Sequence, residues 1–220
     1  MRRPLGPNAG AACEAQPSHV DASKASASGL GALAIITEIG GPHRQSTTTA
    51  MISDTVRTLF LRDLRALRRE IEAYSDERLL WETRGGITNS AGNLALHLCG
   101  NLQHFIGARL GNTGYVRDRD SEFARRNVSR SEILAEIDAA SAAVRRGFEQ
   151  ISDDDFSKPF PELIAKMTVT TGEWLTHLVA HLAYHIGQID YHRRIVTGDT
   201  TTLDVMSVRE LPSTQTSASP

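Results

Sequence analysis

The chain is expected to fold as an all-α protein, a four-helix bundle built from about residues 51–212. Four stretches place apolar residues at spacings of three and four, the period of a helix buried along one side. Capping residues stand before these stretches, and glycines or polar turns follow them. No segment shows a convincing strand alternation, so the helical stripes must bury one another.

The first helix is read from Ile52, Val56, Leu59, Phe60, Leu64, Leu67, Ile71 and Tyr74, with the Arg and Glu runs as its solvated face. Ser53-Asp54 is its expected N-cap, and Ser75-Asp76-Glu77 opens a short turn or helical piece ending near Trp81. Gly85-Gly86 breaks the chain. Asn89-Ser90 then caps a second helix whose stripe holds Ala91, Leu94, His97, Leu98, Asn101, Phe105 and Ile106. Gly111-Asn112 is its stop, and a polar, charged loop is expected through Asp118-Arg119-Asp120.

The third helix starts at Ser129-Arg130-Ser131-Glu132, a capping-box pattern, and buries Ile133, Leu134, Ile137, Ala140, Val144, Phe148 and Ile151. Asp153-Asp154-Asp155 with Pro159 and Pro161 makes a long link, in which Met167-Thr168-Val169 suits an extended segment. A second capping box, Thr170-Thr171-Gly172-Glu173, opens the fourth helix, which runs to Thr197-Gly198. Trp174, Leu178, His181, Leu182, His185, Ile189 and His192 lie near one of its faces.

The flanks differ. Residues 1–50 are rich in Ala, Gly, Ser, Thr and Pro without sustained periodicity, and are expected to be disordered. The expectation is that Met51 is the natural start. The tail at 213–220 is Ser- and Thr-rich and is expected to be flexible.

Composition narrows the function. With 24 Lys plus Arg against 26 Asp plus Glu, the net charge of -2 gives no reason to expect nucleic acid or an anionic membrane as partner. No apolar run approaches the roughly 20 residues of a membrane span. The two cysteines, Cys13 and Cys99, make no disulfide framework, which fits a reducing, cytoplasmic setting.

The histidines carry the chemistry. His177, His181 and His185 are spaced by four on the fourth helix, where imidazoles one turn apart can chelate one ion. Each four-residue step turns the column by about 40°, so His177 is the weakest of the three and reads as an outer or solvated group. His97, near the middle of the second helix, supplies the third ligand. Three neutral imidazoles suit zinc, nickel, iron or copper better than magnesium or calcium, and leave positions open for water or substrate. The plainer reading makes these histidines hydrogen-bonded core residues, although burying several imidazoles without partners is costly. His192 is too far along to share the ion, and His104 belongs on the flank. Asn101 and Gln188 are candidates to orient a ligand. Cys99 reads as a small buried residue, Trp81 and Trp174 as core aromatics, and Tyr184 and Tyr191 as packing or rim residues.

Asn89-Ser90, Leu96-His97-Leu98-Cys99-Gly100-Asn101 and His177-Leu178-Val179-Ala180-His181-Leu182-Ala183-Tyr184-His185-Ile186-Gly187-Gln188-Ile189, with Trp81 ahead of them, resemble the DinB-like superfamily over roughly residues 51–200. The resemblance implies an up-down-down-up four-helix bundle, often a homodimer. It implies His97, His181 and His185 as the metal triad, with His177 outside it. It also implies a divalent ion, zinc or nickel first, and in some relatives a low-molecular-weight thiol such as bacillithiol or mycothiol as co-substrate. The expected function is therefore a metal-dependent thiol S-transferase in detoxification or stress response. The alternatives are a metal-dependent hydrolase and a non-catalytic protein whose metal stabilises the bundle or its oligomer. The resemblance assigns no catalytic or thiol-binding side chain.

Overall fold

The computed structural model describes residues 51–204 and 206–214, so the expectations for residues 1–50 and most of the 213–220 tail lie outside the described residues. Those residues form five α-helices: α1 (Ile52–Glu72), α2 (Ala91–Leu102), α3 (Arg119–Ala124), α4 (Arg130–Phe148) and α5 (Thr171–Thr197). Among the described residues extended pairing is limited to two isolated bridges, Pro159 with Thr170 and Ile164 with Met167. The all-helical expectation therefore stands, with one short helix added. No helix among the described residues is long and apolar enough to cross a membrane.

Helix α1 buries Val56, Phe60, Leu64, Leu67 and Ile71, with Tyr74 just past its end. Its start differs from the Ser53-Asp54 cap expected. Met51 is the N-cap, and the free N–H groups of Ile52 and Ser53 donate to the Asp153 carboxylate at 3.1 and 2.9 Å. An anion delivered by the loop after α4 satisfies the helix end better than a local hydroxyl. The charged residues of α1 are not all solvated either. Glu70 is fully buried and accepts from Arg193 Nε of α5 at 2.7 Å, while Arg193 also reaches Asp190, Asp199 and the Thr201 carbonyl. Every arm of the guanidinium is engaged, while burial still outweighs the Arg193 bond at Glu70 and raises its carboxyl pKa.

A 3-10 turn, Glu77–Trp81, follows the Asp76 cap as expected. Trp81 is half-buried, donates its indole N–H to the Val128 carbonyl at 3.1 Å and lies against Gly92. A methyl at Gly92 would stand 2.8 Å from the indole ring, so only glycine lets α2 approach it.

Ser90 caps α2 through the Asn93 N–H. Every residue from Ala91 to Leu102 is buried, so α2 is enclosed on all sides and has no solvated face. It continues as a π-helical stretch, Gln103–Ala108, and ends in a turn where the Gly111 N–H meets the Ile106 carbonyl at 2.9 Å. Helices α4 and α5 open with the expected capping boxes, Ser129 with Glu132 and Thr170 with Glu173. Gly198, at φ 73°, closes α5 in the left-handed conformation that favours glycine.

Helices α4 and α5 pack against α1, and α3, α4 and α5 pack against α2, around one apolar core. Leu98, Leu102, Ile133, Ile137, Leu178, Leu182 and Ile189 are among its fully enclosed members from α2, α4 and α5. This packing fixes the midpoint of α2 against the middle of α5.

Candidate metal centre

His97 lies near the middle of α2, buried because α2 is enclosed. His181 and His185 sit one turn apart on α5 and are half-buried. The Nε2 atom of His181 is 3.3 Å from His97 Nε2 and 3.1 Å from His185 Nε2. One ligand atom from each of the three rings falls within 4.8 Å of the others. Nitrogen ligands on a tetrahedral ion, at bonds of about 2.0–2.1 Å, stand roughly 3.3–3.4 Å apart. The two short separations are close to that value.

The outward nitrogens decide which proton each ring carries. His97 Nδ1 is 2.9 Å from Glu122 Oε2. An ionised carboxylate only accepts, so Nδ1 holds the proton and Nε2 presents a bare lone pair. His185 Nδ1 is 2.6 Å from the Gln188 amide oxygen and is assigned its proton likewise. His181 Nε2 can donate to at most one of its two neighbours. At least one nitrogen lone pair is thus left facing the other rings without a donor among them, an arrangement that a cation resolves. The donor set fits a divalent metal ion.

Glu122 is the residue the sequence did not reveal. The segment expected as a loop through Asp118-Arg119-Asp120 instead begins α3, capped by the Asp118 side chain on the Ser121 N–H at 3.0 Å. This short helix sets Glu122 behind His97 at 6% exposure. Arg117 grips both carboxylate oxygens, Nε at 2.7 Å and a terminal nitrogen at 2.9 Å. Burial by itself would raise the Glu122 carboxyl, but the His97 and Arg117 bonds and the Arg117 charge outweigh it and hold the carboxyl below its ordinary pKa. The charge that orients His97 is therefore permanent near neutral pH. Gly100 makes room for it: a methyl there would stand 2.8 Å from the Glu122 carboxyl carbon and overlap its oxygen. The Phe123 ring, 4.8 Å from the His97 ring, covers the same side.

Burial lowers the His181 pKa to about 3, with the charges of His185, His97, His177 and Arg117 adding to it. Burial also lowers that of His185, against the Gln188 bond that favours the proton. Both shifts favour the neutral, ligating form of the ring.

The remaining candidates separate cleanly. Gln188 does hold one ring of the cluster, its amide oxygen meeting His185 Nδ1. Asn101 does not: its buried oxygen has no partner among the described residues, and the outward nitrogen of His97 meets Glu122 from α3. His177 is exposed and stacks on Trp174 at 5.0 Å, outside the cluster. Trp174 is half-buried against Phe105 at 5.0 Å, at the edge of the core. His192 is buried elsewhere, between the Tyr74 hydroxyl and the Glu82 carbonyl at 2.7 Å each. His104 pairs with Glu162 at 3.0 Å on the flank of the π-helical stretch. Tyr184 and Tyr191 are rim residues, 64% and 70% exposed. Cys99 is fully buried, and burial first, then the Glu136 and Glu122 carboxylates, push its thiol pKa far above the usual range.

A comparison with curated proteins gives no match. The family described as a protein of unknown function, DUF1572, matches residues 48–209, which span the helices and all three clustered histidines, and the chain belongs to that family.

Proposed function

We propose that this chain is a DinB-like four-helix-bundle protein that binds zinc or nickel and works as a metal-dependent thiol S-transferase. One observation carries the reading: three imidazole nitrogens, from α2 and α5, converge within 4.8 Å of one another, and two of their separations, 3.3 and 3.1 Å, are close to those of ligands on a single tetrahedral ion. His97 would be the rigid ligand, fixed by Glu122, Arg117 and the passage at Gly100. His181 and His185 would be the ligands on the open side, since both remain half-exposed. Three protein ligands leave room for a small molecule, the arrangement of reactive rather than structural sites. When bound, the ion supplies a Lewis acid that favours the deprotonated form of a small thiol. In the overall reaction the sulfur forms a bond to an electrophilic carbon, and the thiol proton and the leaving group pass to solvent. Within the site, Gln188 holds His185 in the ligating tautomer and Glu122 does the same for His97.

Elemental analysis of the purified full chain is the first test, with one ion per chain expected and none in His181→Ala. A cobalt-substituted sample then reports on the open side. Its visible spectrum should shift when a small thiol is added, and thiol consumption with an electrophile panel should vanish in His181→Ala. A metal-free protein overturns the reading at its base. A metal-loaded protein with an unresponsive spectrum and no turnover would make the ion structural instead.

A further inference from the structure

The cluster has a neighbour. A groove of about 310 Å³ opens between the loop ahead of α2 and the C-terminal half of α5. Its position follows from helix geometry. His185, Gln188, His192 and Ile195 stand at intervals of three, four and three on α5, one continuous stripe. Leu94 is one turn before His97 on α2. The groove therefore continues along the seam that holds the histidines, about one helical turn of roughly 5.4 Å further on. Gln188 belongs to both, since it lines the groove while its oxygen accepts from His185.

The lining specifies the occupant. Ile87, Leu94, Tyr191 and Ile195 give apolar walls. Among the described residues no Lys, Arg, Asp or Glu lines it. Its one imidazole, His192, has both nitrogens engaged by Tyr74 and Glu82. The polar side-chain groups that remain are Thr88, Asn89, the Tyr191 hydroxyl and the amide N–H₂ of Gln188, none of which donates to another side chain or to backbone among the described residues. An uncharged wall with a few convergent hydrogen-bonding groups is the pattern of a small-molecule site, and the volume falls within the usual range of about 300–1,000 Å³.

We propose that this groove binds the electrophilic substrate of the histidine centre, and that this substrate is an uncharged, mainly apolar molecule bearing a carbonyl-type acceptor. The apolar body lies between Leu94, Tyr191 and Ile195. The carbonyl oxygen accepts from the Gln188 amide, which points that end of the molecule at His185. A charged substrate would lose its hydration with no counter-charge to replace it. The role given to the occupant rests on the metal-dependent reading above, whereas its chemistry rests on the lining alone.

Prodan, an uncharged naphthyl ketone dye, is a direct probe. Titrated into the metal-free full chain, it should bind saturably at one site with blue-shifted emission. Affinity should fall about tenfold or more in Ile195→Trp, which fills the groove from its exposed rim, and in Ile87→Asp, which charges it. Gln188→Leu should weaken binding and remove the part of the shift that reports a hydrogen-bonded carbonyl. Val116→Asp, at an exposed position outside the groove lining, should leave the titration unchanged. Non-saturable binding, or equal affinity in wild type, Ile195→Trp and Ile87→Asp, overturns the proposal. His181→Ala separates the two readings. It should lose the metal yet keep prodan, so failure of metal binding alone leaves the groove standing, and failure of prodan alone leaves the centre standing.

Discussion

Replacing Glu122 with Gln keeps the side-chain shape and removes one charge from behind His97. In the native arrangement three donors converge on the carboxylate: His97 Nδ1 at 2.9 Å and two Arg117 nitrogens at 2.7 and 2.9 Å. An amide offers a single acceptor oxygen, and its N–H₂ must face one of those donors whichever way it turns. If it faces Arg117, a buried guanidinium loses half its partner. If it faces His97, the ring must move its proton to Nε2, and the ligating lone pair is lost. A hydrogen bond to a charged group contributes about 1.5–3 kcal/mol. Loss of a group that orients a metal ligand typically weakens metal binding about 10–100-fold. The two figures agree, since tenfold corresponds to about 1.4 kcal/mol. The assay is zinc titration in competition with a chromophoric chelator, on variants whose circular dichroism matches wild type. Glu122→Gln should bind about 10–100-fold more weakly. Gly100→Ala should move in the same direction, because the added methyl displaces the same carboxylate. Affinity within about twofold of wild type in a folded Glu122→Gln would refute the role given to the Glu122 charge in holding His97 for the ion.

Three further outcomes are expected. Adding chelator to metal-loaded protein should lower Tm by about 5–11 °C, because an ion held at about 100 times Kd contributes about 2.7 kcal/mol, at about 2–4 °C per kcal/mol for a chain of this size; an unchanged Tm would mean that the histidines hold no ion. For metal-free protein, His181, His185 and His192 all have pKa values lowered chiefly by burial, so the unfolded chain binds protons that the folded chain refuses. Stability is then complete above the unfolded histidine value of about 6.5 and declines as pH falls below it; a urea midpoint as high near pH 5 as near pH 7.5 would contradict the depressed values. Arg193→Ala strands Glu70 without its partner in a fully buried site and should cost about 3–5 kcal/mol, read as a drop in the urea midpoint.

Sequence periodicity made the helices legible because each long one carries its own boundary chemistry. Ser129 with Glu132 and Thr170 with Glu173 announce α4 and α5 within four residues of chain, and Gly198 ends α5 as a left-handed cap should. The spacing of His181 and His185, with His97 on a second apolar helix, makes the cluster legible in the sequence. What escaped was long-range polar chemistry. Glu122 lies 25 residues from His97 in a six-residue helix too short to show a period, and only the Asp118-to-Ser121 cap hints at it. Asp153 caps α1 from 100 residues away, which no local pattern encodes. Glu70 read as a solvated charge because its partner, Arg193, belongs to a helix whose docking on α1 follows from the tertiary fold. The all-round burial of α2 was hidden for a similar reason: Asn93 lies off the apolar stripe, and only α3 gives its amide the Glu122 and Arg125 carbonyls.

The thiol of Cys99 offers a clock. It sits within the enclosed helix α2, with no surface in solvent and its proton firmly held. An alkylating reagent can therefore reach it only while the molecule is transiently open, and a Cys13→Ser chain would leave it as the single reactive thiol. The ratio of its alkylation rate to that of a free cysteine peptide then measures how often this part of the protein opens under native conditions. Repeating the measurement with and without zinc would show whether an ion at His97, two residues away, closes that opening.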